Sequence, residues 1–128
     1  MHAPKEPSLS QPPHGTRVLI VEDDSIIAMT AEDMLEEVGC RTVAVAATLA
    51  EALDRASDTE FDVALLDLNL KDEVSLPVAQ ALRDKGTPFV FATGYDGVPA
   101  DSGFSDVPCI SKPYRMEQLA AVIARALG

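Results

Sequence analysis

Acidic side chains follow two apolar segments of the chain, and their types and spacing suit cation binding or the chemistry of a carboxylate nucleophile. Glu22, Asp23 and Asp24 follow one such segment, and Asp67 follows the run Val-Ala-Leu-Leu. Apolar runs without polar alternation are typical of strands buried on both faces of a parallel sheet. The carboxyl ends of parallel strands lie at one edge of the sheet, where α/β folds bind ligands. We therefore expect these acids to face one another across a cleft.

A lone aspartate after a strand is usually a helix cap or a turn residue. Asp24 fits that interpretation, because a helical pattern begins at Ser25, and we expect it to cap the helix. Asp23 and Asp67 are better explained together, because carboxylates that are brought close repel one another and raise one another's pKa. Mg²⁺ relieves such repulsion and suits a few carboxylates, a backbone carbonyl and retained waters. The acids therefore predict a magnesium site.

Two more apolar segments lead to polar groups of other kinds. Thr93 follows residues 88–92, and Lys112 comes shortly after residues 107–110. A carboxylate nucleophile, a divalent cation, an ammonium and a hydroxyl form the set that phosphoryl transfer to an aspartate requires. The cation and the lysine neutralise charge on the phosphoryl oxygens, and the hydroxyl orients one of them. The sequence therefore predicts an acyl phosphate on Asp67.

The elements that must position these residues alternate along the chain. The apolar patterns predict strands at 17–21, 42–45, 63–66, 88–92 and 107–110, and helices at 25–38, 48–56, 76–85 and 116–127. This alternation predicts an α/β fold, a doubly wound five-stranded parallel sheet with strand order 2-1-3-4-5 and helices on both faces. Three glycines and a proline in segment 94–103 predict a short or irregular fourth helix.

Length and composition indicate one domain and limit its partners. The 128 residues carry a formal net charge of −11, which argues against nucleic-acid binding because phosphates require a basic face. Residues 1–15 hold four prolines and little to bury, so we predict a disordered tail there and the folded domain over 16–128. His2 and His14 lie in that tail, so imidazole chemistry is not expected in the folded domain.

The compartment and the cysteines are also predicted. No apolar run approaches the ~20 residues of a membrane span, and the N-terminus does not have the layout of a signal peptide. We expect a cytoplasmic protein without a membrane partner. Cys40 and Cys109 follow no metal-ligand spacing, and we expect two buried thiols rather than a disulfide.

Over residues 16–128 the sequence resembles the receiver domains of bacterial two-component response regulators. It has the residues that mark this family: Glu22, Asp23, Asp67, Thr93, Lys112 and Pro113. The resemblance implies the flavodoxin-like (CheY-like) fold, Mg²⁺, and phosphoryl transfer from a sensor histidine kinase or a histidine phosphotransfer protein. It also implies a cis peptide bond before Pro113. A protein of this family is a regulator rather than an enzyme, and catalyses only its own phosphorylation and dephosphorylation.

The resemblance also assigns roles within the site. The implied magnesium ligands are Asp23, Asp67 and the backbone carbonyl of Asn69. Glu22 is expected to act mainly through water, and Thr93 and Lys112 are expected to hold the phosphoryl oxygens.

A second signature narrows the resemblance. Pro88-Phe-Val-Phe-Ala-Thr-Gly-Tyr95 is similar to the "PFxFATGY" signature of the FAT GUY group, mostly stand-alone receivers in alphaproteobacteria whose networks include the general stress response. We interpret the chain as a single-domain response regulator that signals to an unknown effector protein by phosphorylation-dependent contact. The first alternative is a phosphorelay shuttle or phosphate sink between histidine proteins. The second is a haloacid-dehalogenase-like phosphatase, which needs a second acid where this chain has Asn69.

The chain departs from the family where the switch is expected. The family often places Tyr or Phe three residues before the lysine, and here that residue is Cys109, which is too small to act as a swinging aromatic. We hypothesise that Tyr95, in the glycine-rich loop 94–103, replaces it as the switch and forms part of the partner surface, with Cys109 and Pro113 nearby. Alternatively, Tyr95 is a partly exposed loop residue or shields the phosphoryl group from water.

Overall fold

The structure is a computed structural model that describes residues 11–71, 73–94 and 98–128. Its strands are β1 (Arg17–Val21), β2 (Arg41–Ala46), β3 (Val63–Asp67), β4 (Asn69–Leu70), β5 (Glu73–Val74), β6 (Phe89–Thr93) and β7 (Cys109–Ser111). Its helices are α1 (Ser25–Glu37), α2 (Leu49–Asp58), α3 (Leu76–Lys85) and α4 (Met116–Leu127). None of the helices in these ranges has the length and apolar character needed to cross a membrane.

The main sheet has five strands in the order β2-β1-β3-β6-β7, and every neighbouring pair is parallel. Because β6 and β7 are the fourth and fifth strands expected from the sequence, the predicted order 2-1-3-4-5 and the doubly wound α/β fold are confirmed. Strands β3 and β6 are buried along their whole length, as central strands are when helices cover both faces of a sheet.

Successive side chains of the central strands point to opposite faces and contribute to two separate cores. In β1, Val18 and Ile20 pack with buried residues of α1 and α4, whereas Leu19 and Val21 pack with buried residues of α2 and α3. The sheet is therefore packed between two pairs of helices.

An aspartate caps the start of α1, and glycines lie at the ends of α1 and α3. Asp24 Oδ1 accepts hydrogen bonds from the backbone N–H groups of Ile26 and Ile27, at 2.9 and 3.2 Å, so Asp24 caps α1 as predicted. Gly39 and Gly86 have φ values of 89° and 74°, the left-handed conformation that glycine adopts without strain at helix ends. The cap makes α1 begin directly behind the acidic residues.

The connection between β6 and β7 contains no α-helix among its described residues, 94 and 98–108, where the sequence predicted a short or irregular one. Phe104 fills the space instead, buried against two phenylalanines of β6. Arg83 of α3 holds this segment in place. Its guanidinium lies 4.5 Å from the centre of the Phe104 ring and donates to the Gly103 carbonyl at 2.7 Å and to Asp106 at 3.0 Å.

An antiparallel hairpin, β4–β5, directly follows β3 and was not expected from the sequence pattern. Leu68 and Leu70 are buried and Asn69 between them is exposed, so alternation anchors the hairpin on the core. The Ser75 N–H donates to the Leu68 carbonyl at 2.9 Å and closes the base of the hairpin. Each strand has two residues, which is too short to give a recognisable period.

The predicted tail falls largely outside the described residues, which begin at residue 11. Its last residues contact the folded body. The Gly15 N–H donates to the Gly39 carbonyl at 2.7 Å, and the Thr16 hydroxyl donates to the Pro13 carbonyl at 2.6 Å. His14 also lies against Gly39. The boundary at residue 15 stays a prediction, but the chain is already held against the α1–β2 turn before that residue.

Candidate functional site at the carboxyl edge of the sheet

Asp67 is the last residue of β3 and is 6% exposed. Its Oδ1 accepts a hydrogen bond from the Asn69 N–H at 3.2 Å, and its Oδ2 lies 2.9 Å from Lys112 Nζ. Because β3 lies between β1 and β6, the carboxylate sits between the ends of the two strands that lead to Glu22 and Thr93.

Lys112 follows β7 and reaches back to the centre of the sheet. Its backbone N–H donates to the Thr93 carbonyl at 2.8 Å, and its Nζ lies 2.8 Å from Glu22 Oε1 as well as 2.9 Å from Asp67 Oδ2. Burial by itself would lower the pKa of Lys112, but the hydrogen bonds and charges of the two carboxylates outweigh burial and raise it. The lysine is therefore an ammonium that bridges two acids.

Glu22 is buried beside this ammonium, with 5% of its surface exposed. Burial raises the pKa of Glu22 to about 7, and Asp67 adds to the rise while the hydrogen bond from Lys112 opposes it. Its Oε2 also accepts a hydrogen bond from the Asp24 N–H at 3.2 Å. The direct ion pair between Glu22 and Lys112 was not expected from the sequence. The expected water-mediated role of Glu22 toward a cation stays a prediction.

The carboxylates form a group that could hold a metal ion. One oxygen from each of Glu22, Asp23 and Asp67 lies within 4.8 Å of the others, so a single small cation could contact all three. The group carries three acids against one lysine, and burial together with the neighbouring Asp67 raises the pKa of Glu22. A donor set of carboxylate oxygens suits a hard cation such as Mg²⁺, so the residues fit the predicted metal.

Thr93 ends β6 and is 2% exposed. Its Oγ1 lies 3.8 Å from Cys109 Sγ, across the β6–β7 pair. Cys109 itself is exposed, so the prediction that both thiols are buried is wrong for Cys109 and confirmed for Cys40. The reason is topological, because β7 is an edge strand of the sheet that the described residues form.

The remaining predicted residues have different outcomes. The peptide bond between Lys112 and Pro113 is cis, as the resemblance implied. Asn69 lies in β4, next to Asp67, and its backbone N–H already contacts the Asp67 carboxylate. Tyr95, the hypothesised switch residue, lies outside the described residues.

An apolar groove lies beside the site and was not expected from the sequence. It has a volume of about 640 Å³, and it is lined by Ile26, Ile27, Thr30, Met34, Gly94, Lys112, Pro113 and Tyr114. On the same helix, Ile26 and Met29 are 74% and 62% exposed. The sequence held a signal for this surface, because both residues are apolar but lie off the stripe of α1 that faces the core. Burial raises the pKa of Tyr114, in the groove wall, to about 12, so the phenol stays neutral.

Fold and site together define a class. A lysine that bridges two acids at the switch point of a 2-1-3-4-5 parallel sheet is the arrangement of receiver domains, the regulatory modules of two-component systems. The chain belongs to the response regulator receiver domain family, which matches residues 18–124. The resemblance found in the sequence is thereby confirmed.

Two similar proteins, one of them known in two solution structures, illustrate the family. PhyR, the phyllosphere-induced regulator of Methylorubrum extorquens, is 32% identical over 121 residues, which are 88% of this chain and 44% of that protein. The chain therefore spans less than half the length of this curated relative. The solution structure of SdrG from Sphingomonas melonis Fr1 is 44% identical, with a TM-score of 0.79, and the match covers 89% of this chain and 98% of SdrG. A solution structure of SdrG in a BeF3-activated conformation is 40% identical with a TM-score of 0.72, and covers 90% of this chain and 98% of that one.

Proposed function

We propose that Asp67 accepts a phosphoryl group from the phosphohistidine of a sensor histidine kinase or a histidine phosphotransfer protein. The observation that carries the proposal is the position of the Asp67 carboxylate, 2.9 Å from Lys112 Nζ and within one cation's reach of Glu22 and Asp23. A nucleophile flanked by positive charge at an open sheet edge is what transfer of a phosphoryl dianion requires.

The transfer exchanges one bond for another. A carboxylate oxygen of Asp67 donates an electron pair to phosphorus, and the electron pair of the P–N bond returns to the histidine nitrogen. The imidazole leaves in its neutral form because its second nitrogen already carries a proton. The product is an acyl phosphate on Asp67, and the reaction needs no further reactant.

The neighbouring residues stabilise the charge that is transferred. Lys112 is the ammonium that pairs with phosphoryl oxygens, and its raised pKa keeps it charged. The Thr93 hydroxyl donates to one phosphoryl oxygen. Asp23, Asp67 and the Asn69 backbone carbonyl hold Mg²⁺, with Glu22 assisting through water. When bound, Mg²⁺ neutralises the carboxylates and the incoming phosphoryl oxygens.

We assign the apolar groove to the phosphodonor. Lys112, which contacts Asp67, and Gly94, which follows Thr93, both line the groove, so a helix that lies along α1 would bring its phosphohistidine toward Asp67. The exposed Ile26 and Met29 extend the apolar surface along α1, and an amphipathic helix would bury them.

The output of the protein is a second part of the proposal. We propose that it acts as a single-domain, cytoplasmic response regulator of the general stress type, and that it contacts an effector protein when phosphorylated. Support comes from the match to SdrG over 98% of the length of that chain. A shuttle or sink for phosphoryl groups is the alternative.

The phosphoacceptor is tested by labelling. Wild type, Asp67→Asn and the control Asp54→Asn, on the exposed face of α2, are incubated with Mg²⁺ and acetyl phosphate carrying a labelled phosphoryl group. Label is expected in wild type and the control and absent from Asp67→Asn. Label that persists in Asp67→Asn excludes Asp67 as the acceptor. Transfer from the labelled protein to a phosphotransfer protein, without phosphorylation-dependent capture of an effector, would favour the shuttle.

The donor surface is tested by comparing two donors. The double variant Ile26→Ala/Met29→Ala is expected to lose ~30-fold in the rate of labelling by a phosphorylated kinase, because each of the two truncated contact residues costs on the order of 1 kcal/mol. Its labelling by acetyl phosphate should be unchanged. Leu53→Ala, which removes an exposed leucine of α2, serves as the control. Equal losses with both donors would mean that the variant disturbs the site itself.

A further inference from the structure

The Thr93 hydroxyl is buried, and in the part of the chain that the structure describes its hydrogen-bonding partner is the Cys109 thiol. The distance from Oγ1 to Sγ is 3.8 Å. The register pairs Thr93 with Ser111 and Phe91 with Cys109, so the contact runs diagonally across β6 and β7. A weak hydrogen bond to sulfur is thus the interaction that the Thr93 hydroxyl makes in a residue that is 2% exposed.

The backbone around Thr93 is held on both sides. Its own carbonyl accepts a hydrogen bond from the Lys112 N–H at 2.8 Å, and the carbonyl of Ala92 accepts one from the Leu68 N–H at 2.9 Å. The hydroxyl can therefore turn toward Asp67 by rotation about the Cα–Cβ bond without breaking the sheet. Such a rotation moves Oγ1 away from the thiol and brings another substituent of Cβ into its place.

We propose that Cys109 is a positioning residue that holds the Thr93 hydroxyl in its unphosphorylated orientation and releases it when Asp67 is phosphorylated. The inference rests on the proposed function of Asp67. A thiol suits this task because it is a weak donor and acceptor, so release costs little. Its polarizable sulfur also packs well against a methyl group, so both orientations of Thr93 are accommodated.

The first test measures the balance between the two orientations. Beryllofluoride and Mg²⁺ are titrated into wild type, Cys109→Ala, Cys109→Ser and the control Ser111→Ala, and binding is followed by amide shifts. Cys109→Ala is expected to bind beryllofluoride about two- to fivefold more tightly, because the unphosphorylated state loses one weak hydrogen bond. Cys109→Ser should bind no more tightly than wild type, because a hydroxyl is a stronger donor and acceptor than a thiol, and Ser111→Ala should match wild type. Unchanged or weaker binding by Cys109→Ala overturns the proposal.

The second test measures the reactivity of the Cys109 thiol. Cys109 is exposed and Cys40 is buried, so alkylation by iodoacetamide, followed by mass spectrometry, reports on Cys109 with Cys40 as the internal reference. Beryllofluoride with Mg²⁺ is expected to speed alkylation of Cys109 at least about twofold, the lower end of one hydrogen bond's effect. Thr93→Ala should react at the fast rate without the ligand. The proposal is overturned if the alkylation rate of Cys109 changes neither on addition of beryllofluoride and Mg²⁺ nor in Thr93→Ala.

The outcomes separate the inference from the proposed function. A wild-type protein that takes no label from acetyl phosphate and shows no shifts with beryllofluoride would contradict the function of Asp67. A wild-type protein that is labelled and shifted, but in which Cys109→Ala behaves as Ser111→Ala does, would contradict only the role of Cys109.

Discussion

Two ion clusters lie at opposite ends of β1, and they differ in burial. At the amino edge of the sheet, Arg17 pairs with Asp62 through Nε at 3.2 Å and a second guanidinium nitrogen at 3.0 Å. At the carboxyl edge, Lys112 pairs with Glu22 and Asp67. The amino-edge side chains of Arg17 and Asp62 are 41% and 38% exposed, whereas those of Glu22 and Asp67 are 5% and 8% exposed.

The difference in burial gives the clusters opposite consequences. The Arg17 guanidinium lowers the pKa of Asp62. The amino-edge pair therefore modestly stabilises the packing of β1 beside the start of β3. Burial raises the pKa of Glu22 to about 7. Keeping the Glu22 carboxylate ionised in the carboxyl-edge cluster therefore destabilises the folded state. Charges concentrated where water is excluded are typical of functional sites. Four predictions test the contrast between the exposed amino-edge pair and the buried carboxyl-edge cluster.

The largest effect is expected from Lys112→Met in metal-free protein. Removal of the ammonium leaves Glu22 and Asp67 buried and uncompensated, and breaking a buried pair in this way costs about 3–5 kcal/mol. Urea unfolding at pH 7 with a chelator measures the loss. Arg17→Met should cost much less, and equal losses at the two edges would contradict the contrast.

The next effect is the stabilisation of the fold by Mg²⁺. A ligand that binds only the folded state contributes ~2.7 kcal/mol at 100 times its dissociation constant. Thermal unfolding with and without Mg²⁺ should show this gain in wild type and in Asp62→Asn, at the amino edge. Asp23→Asn should lose most of the gain, and an undiminished shift in that variant would count against the metal site.

The dependence of stability on pH should have opposite signs at the two edges. Because the pKa of Glu22 is raised from 4.5 to about 7 in the folded state, the folded state binds more protons than the unfolded state between these values. Its contribution therefore decreases as the pH rises from about 4.5 to about 7 in metal-free protein. Asp62, whose pKa is lowered from 3.8, contributes stability above that value and loses it as the pH falls below.

Urea unfolding at pH 5 and pH 7.5 checks the Glu22 part of this expectation. Glu22→Gln should change less in stability between the two pH values than wild type does, and Asp62→Asn should change as much as wild type. A Glu22→Gln protein with the full wild-type dependence would show that another group titrates.

The smallest effect is expected from Asp62→Asn at neutral pH. Exposed ion pairs contribute little because water screens them and ordering the side chains costs entropy. The loss should be the smallest of the four and should shrink further when salt is raised from 0.05 to 0.5 M, because screening lengths shorten. A loss as large as that of Lys112→Met would remove the distinction between the edges.

The sequence predicted the site to the extent that backbone topology determines it. The strand order follows from alternation, and the carboxyl ends of parallel strands must meet, so the proximity of Asp67 to Glu22 and Asp23 could be foreseen. The direct bond between Lys112 and Glu22 could not, because it depends on how far a flexible side chain reaches from a cis-proline turn.

Other features were missed for different reasons. The strands of the hairpin β4–β5 are too short to show a period in the sequence. Leu68 and Leu70, which the structure buries, are the residues that anchor the hairpin. The exposure of Cys109 depends on which strand forms the edge of the sheet. A short apolar segment has the same sequence pattern in an edge strand as in a central strand. Ile26 and Met29 were visible as apolar residues off the stripe of α1, but isolated surface apolar residues are common.

The apolar surface of α1 also bears on how copies of this protein behave in solution. Ile26 and Met29 offer an adhesive patch, and the formal net charge of −11 supplies the long-range repulsion that keeps such patches apart. Salt shortens the range of that repulsion without weakening apolar contact. The colloidal stability of the protein therefore depends on ionic strength.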